Sequence, residues 1–200
     1  DFNATTFPPN NWTRFSGQLS AASSLTSVTA GWMRAENFAN NSVNNTNGSG
    51  TKMNIYGTNR FYWLVSPTIN LTAGNTSQLE FDMALTDFGN SNPIENQNGT
   101  DDKFAVVIST DNGTTWTNSN ILKLWDNDSN TTSESYNTIS TTGQHVVINL
   151  ASYSGLVKIA FYGESVTSNA DNDLHVDNFR VIPVPTAPIF AVNPSEKNFG

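Results

Sequence analysis

The sequence predicts an all-β fold, a sandwich or a barrel, and three observations carry the prediction. No long segment repeats its apolar residues at helical spacing. Short runs rich in Val, Ile and aromatic residues recur along the chain. Polar loops of Asn, Gly, Ser and Asp separate those runs, as in folds built from many short strands.

Eight strands are expected, taken here in order. Met53 to Gly57 and Tyr62 to Leu71 come first. Gln78 to Thr86 alternates cleanly: Leu79, Phe81, Met83 and Leu85 share one face while Glu80 and Asp82 take the other. Lys103 to Thr110 is rich in Val and Ile, which favour a pleated surface. Ile121 to Trp125 follows. His145 to Leu150 and Val157 to Gly163 are more continuously apolar, as inner strands are. Leu174 to Val184 ends the series. Two long polar loops, Asn37 to Thr51 and Asp87 to Asp102, are read as spacers or as carriers of function.

The chain has 200 residues, enough for one domain with a sizeable core. A formal net charge of −8 argues against nucleic acid or an anionic membrane as partner, and suits hard cations that want oxygen ligands. There is no Cys, hence no disulfide framework and no thiolate chemistry. No apolar run reaches membrane-spanning length, so no membrane insertion is expected. The Asn-, Ser- and Thr-rich, Lys-poor composition reads as extracellular, secreted or at a cell surface, and the domain reads as monomeric. PVPTAP (Pro183 to Pro188) is a stiff connector. The following IFAVNPSEKNFG resembles the opening strand of an immunoglobulin-like module. One domain over 1–184 and the beginning of a second over 185–200 are therefore expected.

Ser109 to Trp116 reads STDNGTTW and fits S-x-D-x-G-x-T-W. The pattern resembles the Asp-box, a hairpin that recurs in sialidase propeller blades. Each fixed position has a structural task. Asp111 accepts from backbone N–H groups ahead of it, Gly113 supplies a positive φ, and Trp116 folds back to cap the hairpin. With no second copy of the box and only four Arg, the sialidase reading fails.

Signatures of a nucleophile elbow, a zinc helix or a P-loop are missing, so the domain is read as non-catalytic. His145 and His175 sit in strand patterns and are read as solvent-facing or satisfied. Calcium is the expected cofactor, in a structural role. Asp126 to Asn137 begins like an EF-hand loop but has Thr131 where Gly belongs and Asn137 where Glu belongs, so it is read as a polar loop. Asp177 in the last strand and Asp82 on the polar face of its strand are the metal candidates read from position. Of five Trp, Trp63 is read as core and Trp116 as the hairpin cap, while Trp12, Trp32 and Trp125 are candidates for a sugar-stacking platform.

DFNATTFPPNNWT at the start, WLVSPTINLT with LEFDMAL and the hairpin in the middle, and LHVDNFRVIPV at the end occur in a telling order. Together they resemble the choice-of-anchor J and cleaved-adhesin group of domains, relatives of MAM domains. The resemblance implies a jelly-roll β-sandwich of two antiparallel sheets. It implies a non-catalytic binding or adhesion module of a large secreted or surface protein of bacteria, with a glycan or a host or extracellular protein as partner. A carbohydrate-binding module that targets a linked hydrolase is the alternative. It also implies a calcium joining the N-terminus, at Asp1 and Asn3, to Asp177 of V-D-N. Asn3 stands where many relatives carry Glu, and Arg14 to Ser24 lacks the Asp-Gly-rich calcium loop of the adhesin subgroup.

Overall fold

Each alternating run folds as a strand, and the two layers follow from which faces are apolar. The computed structural model describes residues 2–42, 48–73, 76–94, 102–126, 134–167 and 170–185. Along them run β1 (Thr13–Ser16), β2 (Thr26–Ser27), β3 (Trp32–Ala35), β4 (Gly50–Ile55), β5 (Arg60–Val65), β6 (Ile69–Leu71) and β7 (Ser77–Asp87). They continue with β8 (Asp102–Ser109), β9 (Ile121–Asp126), β10 (Glu134–Ser135), β11 (Gln144–Asn149), β12 (Gly155–Ser165) and β13 (Asn172–Pro183). The expected Pro-rich connector and second module lie almost wholly outside the described residues, as do Asp1 and most of the EF-hand-like run.

The larger sheet has the order β10-β9-β8-β12-β5-β1-β2 with β6 alongside β12; the smaller has the order β11-β7-β13-β4-β3. Pairing is antiparallel except between β9 and the two-residue β10. This is the sandwich that the sequence predicts.

Between the sheets, Leu79, Phe81, Met83 and Leu85 of β7 meet Phe104, Val106 and Ile108 of β8 and Ile159 and Phe161 of β12. Phe81 and Phe161 pack edge to face at 5.2 Å. Each such buried side chain contributes roughly 1.5–3 kcal/mol relative to exposure. A second apolar layer lies on the outer face of the larger sheet. There Trp63, Val107, Ala160 and Tyr162 are covered by a 3-10 segment, Leu19–Ser24, and by Trp116. That cover is why β12 is apolar on both faces.

Three expectations change. His145 to Leu150 is no inner strand: β11 is an edge, with Val146 and Ile148 inward and Val147 50% exposed. Tyr62 to Leu71 is two strands, because the chain turns at Ser66 and Pro67. Ser66 exchanges N–H and Oγ hydrogen bonds with Ile159 there, and Pro67 has no N–H to offer. Four strands, β1, β2, β3 and β10, went unread because two to four residues show no period.

Candidate functional site

The outward face of the smaller sheet is polar, and its side chains come from neighbouring strands in register. Asp82 of β7 stands opposite Asp177 of β13, Ala84 opposite His175, and Glu80 opposite Arg180. Between Asp177 and Arg180 the register shifts by a β-bulge, with Asn178 at φ 54. Asn is one of the few residues that adopt this conformation readily, and a bulge re-aims the side chains around it.

The bulge assembles one hydrogen-bonded group. Arg180 Nε donates to Glu80 at 2.6 Å, and Gln78 donates to the same carboxylate. Arg180, then Gln78, hold the Glu80 carboxyl below its ordinary pKa. Asp82 takes His145 Nδ1 at 2.7 Å and Asn178 Nδ2 at 2.7 Å. A second group surrounds the buried Asp173. Its Oδ2 accepts from Lys52 Nζ at 2.7 Å, Asn40 Nδ2 at 2.8 Å and the Gly89 N–H at 3.1 Å. Burial alone would raise the Asp173 pKa; these bonds outweigh it and leave it lowered.

The polar loop expected from Asn37 onward is in part a fitted cover. Phe38 to Asn40 form a 3-10 turn with Ala39 at φ 58, and Phe38 lies edge-on to His175 at 5.9 Å. His175 beneath it is fully buried, with no hydrogen-bond partner on either ring nitrogen among the described residues. The expectation of an exposed or satisfied His therefore fails at His175 and holds at His145. Burial pushes the His175 pKa down to about 3, against the pull of Asp173.

Phe38, Asp82, Thr142, Gly143, Gln144 and His145 line a shallow, open cavity of about 180 Å³ at the edge of this face. A Cβ on Gly143 would stand 2.9 Å from the Phe38 ring, so only glycine lets that wall approach. The cavity combines one aromatic wall with a carboxylate, an imidazole, an amide and a hydroxyl. Such a set suits a small, hydroxyl-rich ligand. Glu80, Asp82 and Asp173 are each bound to cationic, imidazole or amide donors, so they act as fixed acceptors.

The tryptophan platform does not form. Trp32 and Trp125 are fully buried, and Trp125 stacks on Phe104 at 5.2 Å. Trp12 is half-buried, wedged between Phe2 at 5.0 Å and Phe179 at 5.0 Å. Strand pairing turns these rings inward, because an indole buries more apolar area in the core than on a rim. Trp63 is core, as expected, and Trp116 packs on it at 5.7 Å.

At the hairpin, Asp111 Oδ1 accepts from Ser109 Oγ at 2.6 Å and from the N–H groups of Thr114 at 3.1 Å and Thr115 at 3.0 Å. These bonds, the Ser109 hydroxyl first, hold the Asp111 carboxyl down to about 2. Gly113 sits at φ 90.

For calcium, the described candidates separate into two places. Asp177 is buried, its Oδ1 accepts the Phe2 N–H at 3.1 Å, and its Oδ2 has no hydrogen-bond partner among the described residues. Burial raises its pKa, a strain that a cation would relieve. Asn3 lies at the same corner: its Oδ1 accepts from Ser49 at 3.0 Å, and a Cβ on Gly50 would stand 3.4 Å from Asp177 Cβ. Asp82 is committed to His145 and Asn178. Among the described residues no three of His, Asp and Glu gather closely enough to hold a metal ion. The donor set thus fits a cation in part, through one orphaned carboxylate oxygen and one amide oxygen.

Reading the sequence missed Phe38, Asn40, Lys52 and His145 as site residues. The alternation that set Glu80 and Asp82 opposite Leu79, Phe81 and Met83 was the legible signal of a polar strand face.

No protein-family model and no curated protein matches the chain. Solved structures match its fold. The K1 cleaved adhesin domain of Lys-gingipain from Porphyromonas gingivalis W83 superposes with a TM-score of 0.52 at 14% identity, over 88% of this chain and 93% of that one. A family 61 carbohydrate-binding module, solved in complex with β-1,4-galactotriose, gives 0.50 at 12% identity, over 92% and 94%. At these identities the likeness establishes a shared β-sandwich, compatible with the adhesin-like fold that the sequence motifs imply.

Proposed function

We propose that this chain is a non-catalytic binding or adhesion module of a large modular extracellular bacterial protein, with a glycan or an extracellular protein as its ligand. The observation that carries the reading is the cavity walled by Phe38, Asp82, Gln144 and His145. Its polar groups are held rigid by neighbours, which favours recognition of a hydroxyl-rich surface. The fold common to an adhesin domain and a glycan-binding module supports the same reading. The second reading, a carbohydrate-binding module targeting a linked hydrolase, draws on the likeness to the galactotriose-bound module. Residues 1–184 would form the module, and 185–200 the linker and start of an immunoglobulin-like domain.

Calcium is part of the proposal. Asp177 and Asn3 would hold it, and the ion would supply positive charge to a buried carboxylate while tying the N-terminal segment to β13.

A glycan and polysaccharide array with the full chain, in calcium and again in EDTA, tests the reading. Saturable binding to one sugar class that His145→Ala weakens is the expected result. Binding unaffected by His145→Ala would move the site elsewhere. No glycan and no extracellular protein bound in either buffer would overturn the function. For the metal, calcium should raise the melting temperature and Asp177→Asn should remove that response; a calcium-blind wild type refutes the ion.

A further inference from the structure

We propose that the groove beside the Asp-box hairpin is a second binding site, and that it takes a carboxylate-bearing sugar anchored by Lys158. The groove, about 270 Å³, lies on the outer face of the larger sheet. Thr13, Phe15, Val65, Thr114, Trp116 and Lys158 line it.

The charge inventory singles out Lys158. Eight of the nine Lys and Arg lie among the described residues. Arg34, Lys52, Lys103 and Arg180 pair with carboxylates. Arg14 and Lys123 stand over aromatic rings, and Arg60 donates to Tyr62 Oη at 3.4 Å. Lys158 alone has no ion-pair, ring or side-chain hydrogen-bond partner among the described residues. In a chain of net charge −8, an ammonium left without a carboxylate stands out.

Its position is also prepared. Lys158 pairs with Ser109 at the root of the hairpin. A Cβ on Gly113 would stand 2.9 Å from Lys158 Cδ and 3.6 Å from its Nζ, so the glycine lets the side chain lie along the turn. The nearby Asp111 carboxylate is filled from within the turn, by Ser109, Thr114 and Thr115. The partly exposed Phe15 and Leu25 then offer an apolar wall, backed by the buried Val65 and Trp116, and Thr13 offers a hydroxyl. A pyranose carries an apolar C–H face for such a wall, and a uronic acid adds the anion that Lys158 lacks. The inference rests on the glycan-binding reading for the sugar itself; the hairpin thereby acquires a task beyond stability.

The test is calorimetric titration of the full chain with trigalacturonate and with neutral β-1,4-galactotriose, on the wild type, Lys158→Gln and Lys158→Arg. Trigalacturonate should bind, Lys158→Gln should weaken it by about tenfold or more, and Lys158→Arg should largely retain it. Added salt should weaken the acidic sugar selectively. Trigalacturonate binding equal in wild type and Lys158→Gln overturns the site. Neutral glycans bound while trigalacturonate is ignored also overturns it, and leaves the binding-module function standing. If no glycan of either kind binds on the array or by titration, the glycan reading and the site fall together.

Discussion

His175 offers the sharpest test of how the polar face is built. Its imidazole is fully buried beneath Phe38, and burial pushes its pKa down to about 3. In the unfolded chain the same group titrates near 6.5. Between those values the unfolded state takes up a proton that the fold refuses. The neutral imidazole's contribution is therefore fully present above about pH 6.5 and is lost progressively as pH falls toward 3. At pH 5 the loss is roughly 1.5 pH units at about 1.36 kcal/mol each, about 2 kcal/mol. That figure depends only on the unfolded value, provided the folded pKa stays well below 5. His175→Leu removes the titration while keeping an apolar side chain under Phe38. Urea unfolding at pH 7 and pH 5, with matched slopes, should show the wild type losing about 2 kcal/mol more than the variant. Parallel losses would refute the buried neutral imidazole, because other groups titrate alike in both proteins.

Three further outcomes follow from the packing. Asp111→Ala should lower the melting temperature at pH 7. The folded pKa of about 2 lies below the ordinary carboxylate value, so the native contribution is present above about pH 3.9 and lost as pH falls through 2. The gap between wild type and variant should close near pH 2; a gap that persists there contradicts the charge-dependent turn. Trp32→Ala should cost about 3–5 kcal/mol by urea unfolding, since the indole is fully buried, and a cost under 1 kcal/mol would mean a surface ring. Gly163→Ala should destabilise by about 1–3 kcal/mol, because its Cβ would overlap the sulfur of the buried Met53. Met53→Ala in that background should recover part of the loss; no recovery would place the strain elsewhere.

The likeness to the adhesin domain and the carbohydrate-binding module is one of fold, and the proposed binding role rests on the two cavities. Both cavities sit where covering segments meet a sheet: Phe38 over the smaller one, the hairpin against the larger. A sandwich keeps its strands apolar between the layers and leaves the outer faces to evolve separate tasks.

The local sequence determined much of this protein. Period-two alternation located β7 and assigned Leu79, Phe81, Met83 and Leu85 to the core, because side chains on successive strand residues point to opposite faces. STDNGTTW specified its own turn, since every hydrogen bond of its Ser109 hydroxyl and Asp111 carboxylate lies within four residues, and Thr68 adds one from outside, to Asn112. What only the tertiary structure decided are the long-range meetings. Asp82 finds His145 63 residues away, and Asp173 finds Lys52 121 residues away. The same pairing buried Trp32 and Trp125, which their own neighbours in the chain left free to be exposed. A strand's inner face is legible from its period, but its partner, its position at edge or centre, and the segment folded over it are set by contacts that no short stretch of sequence contains.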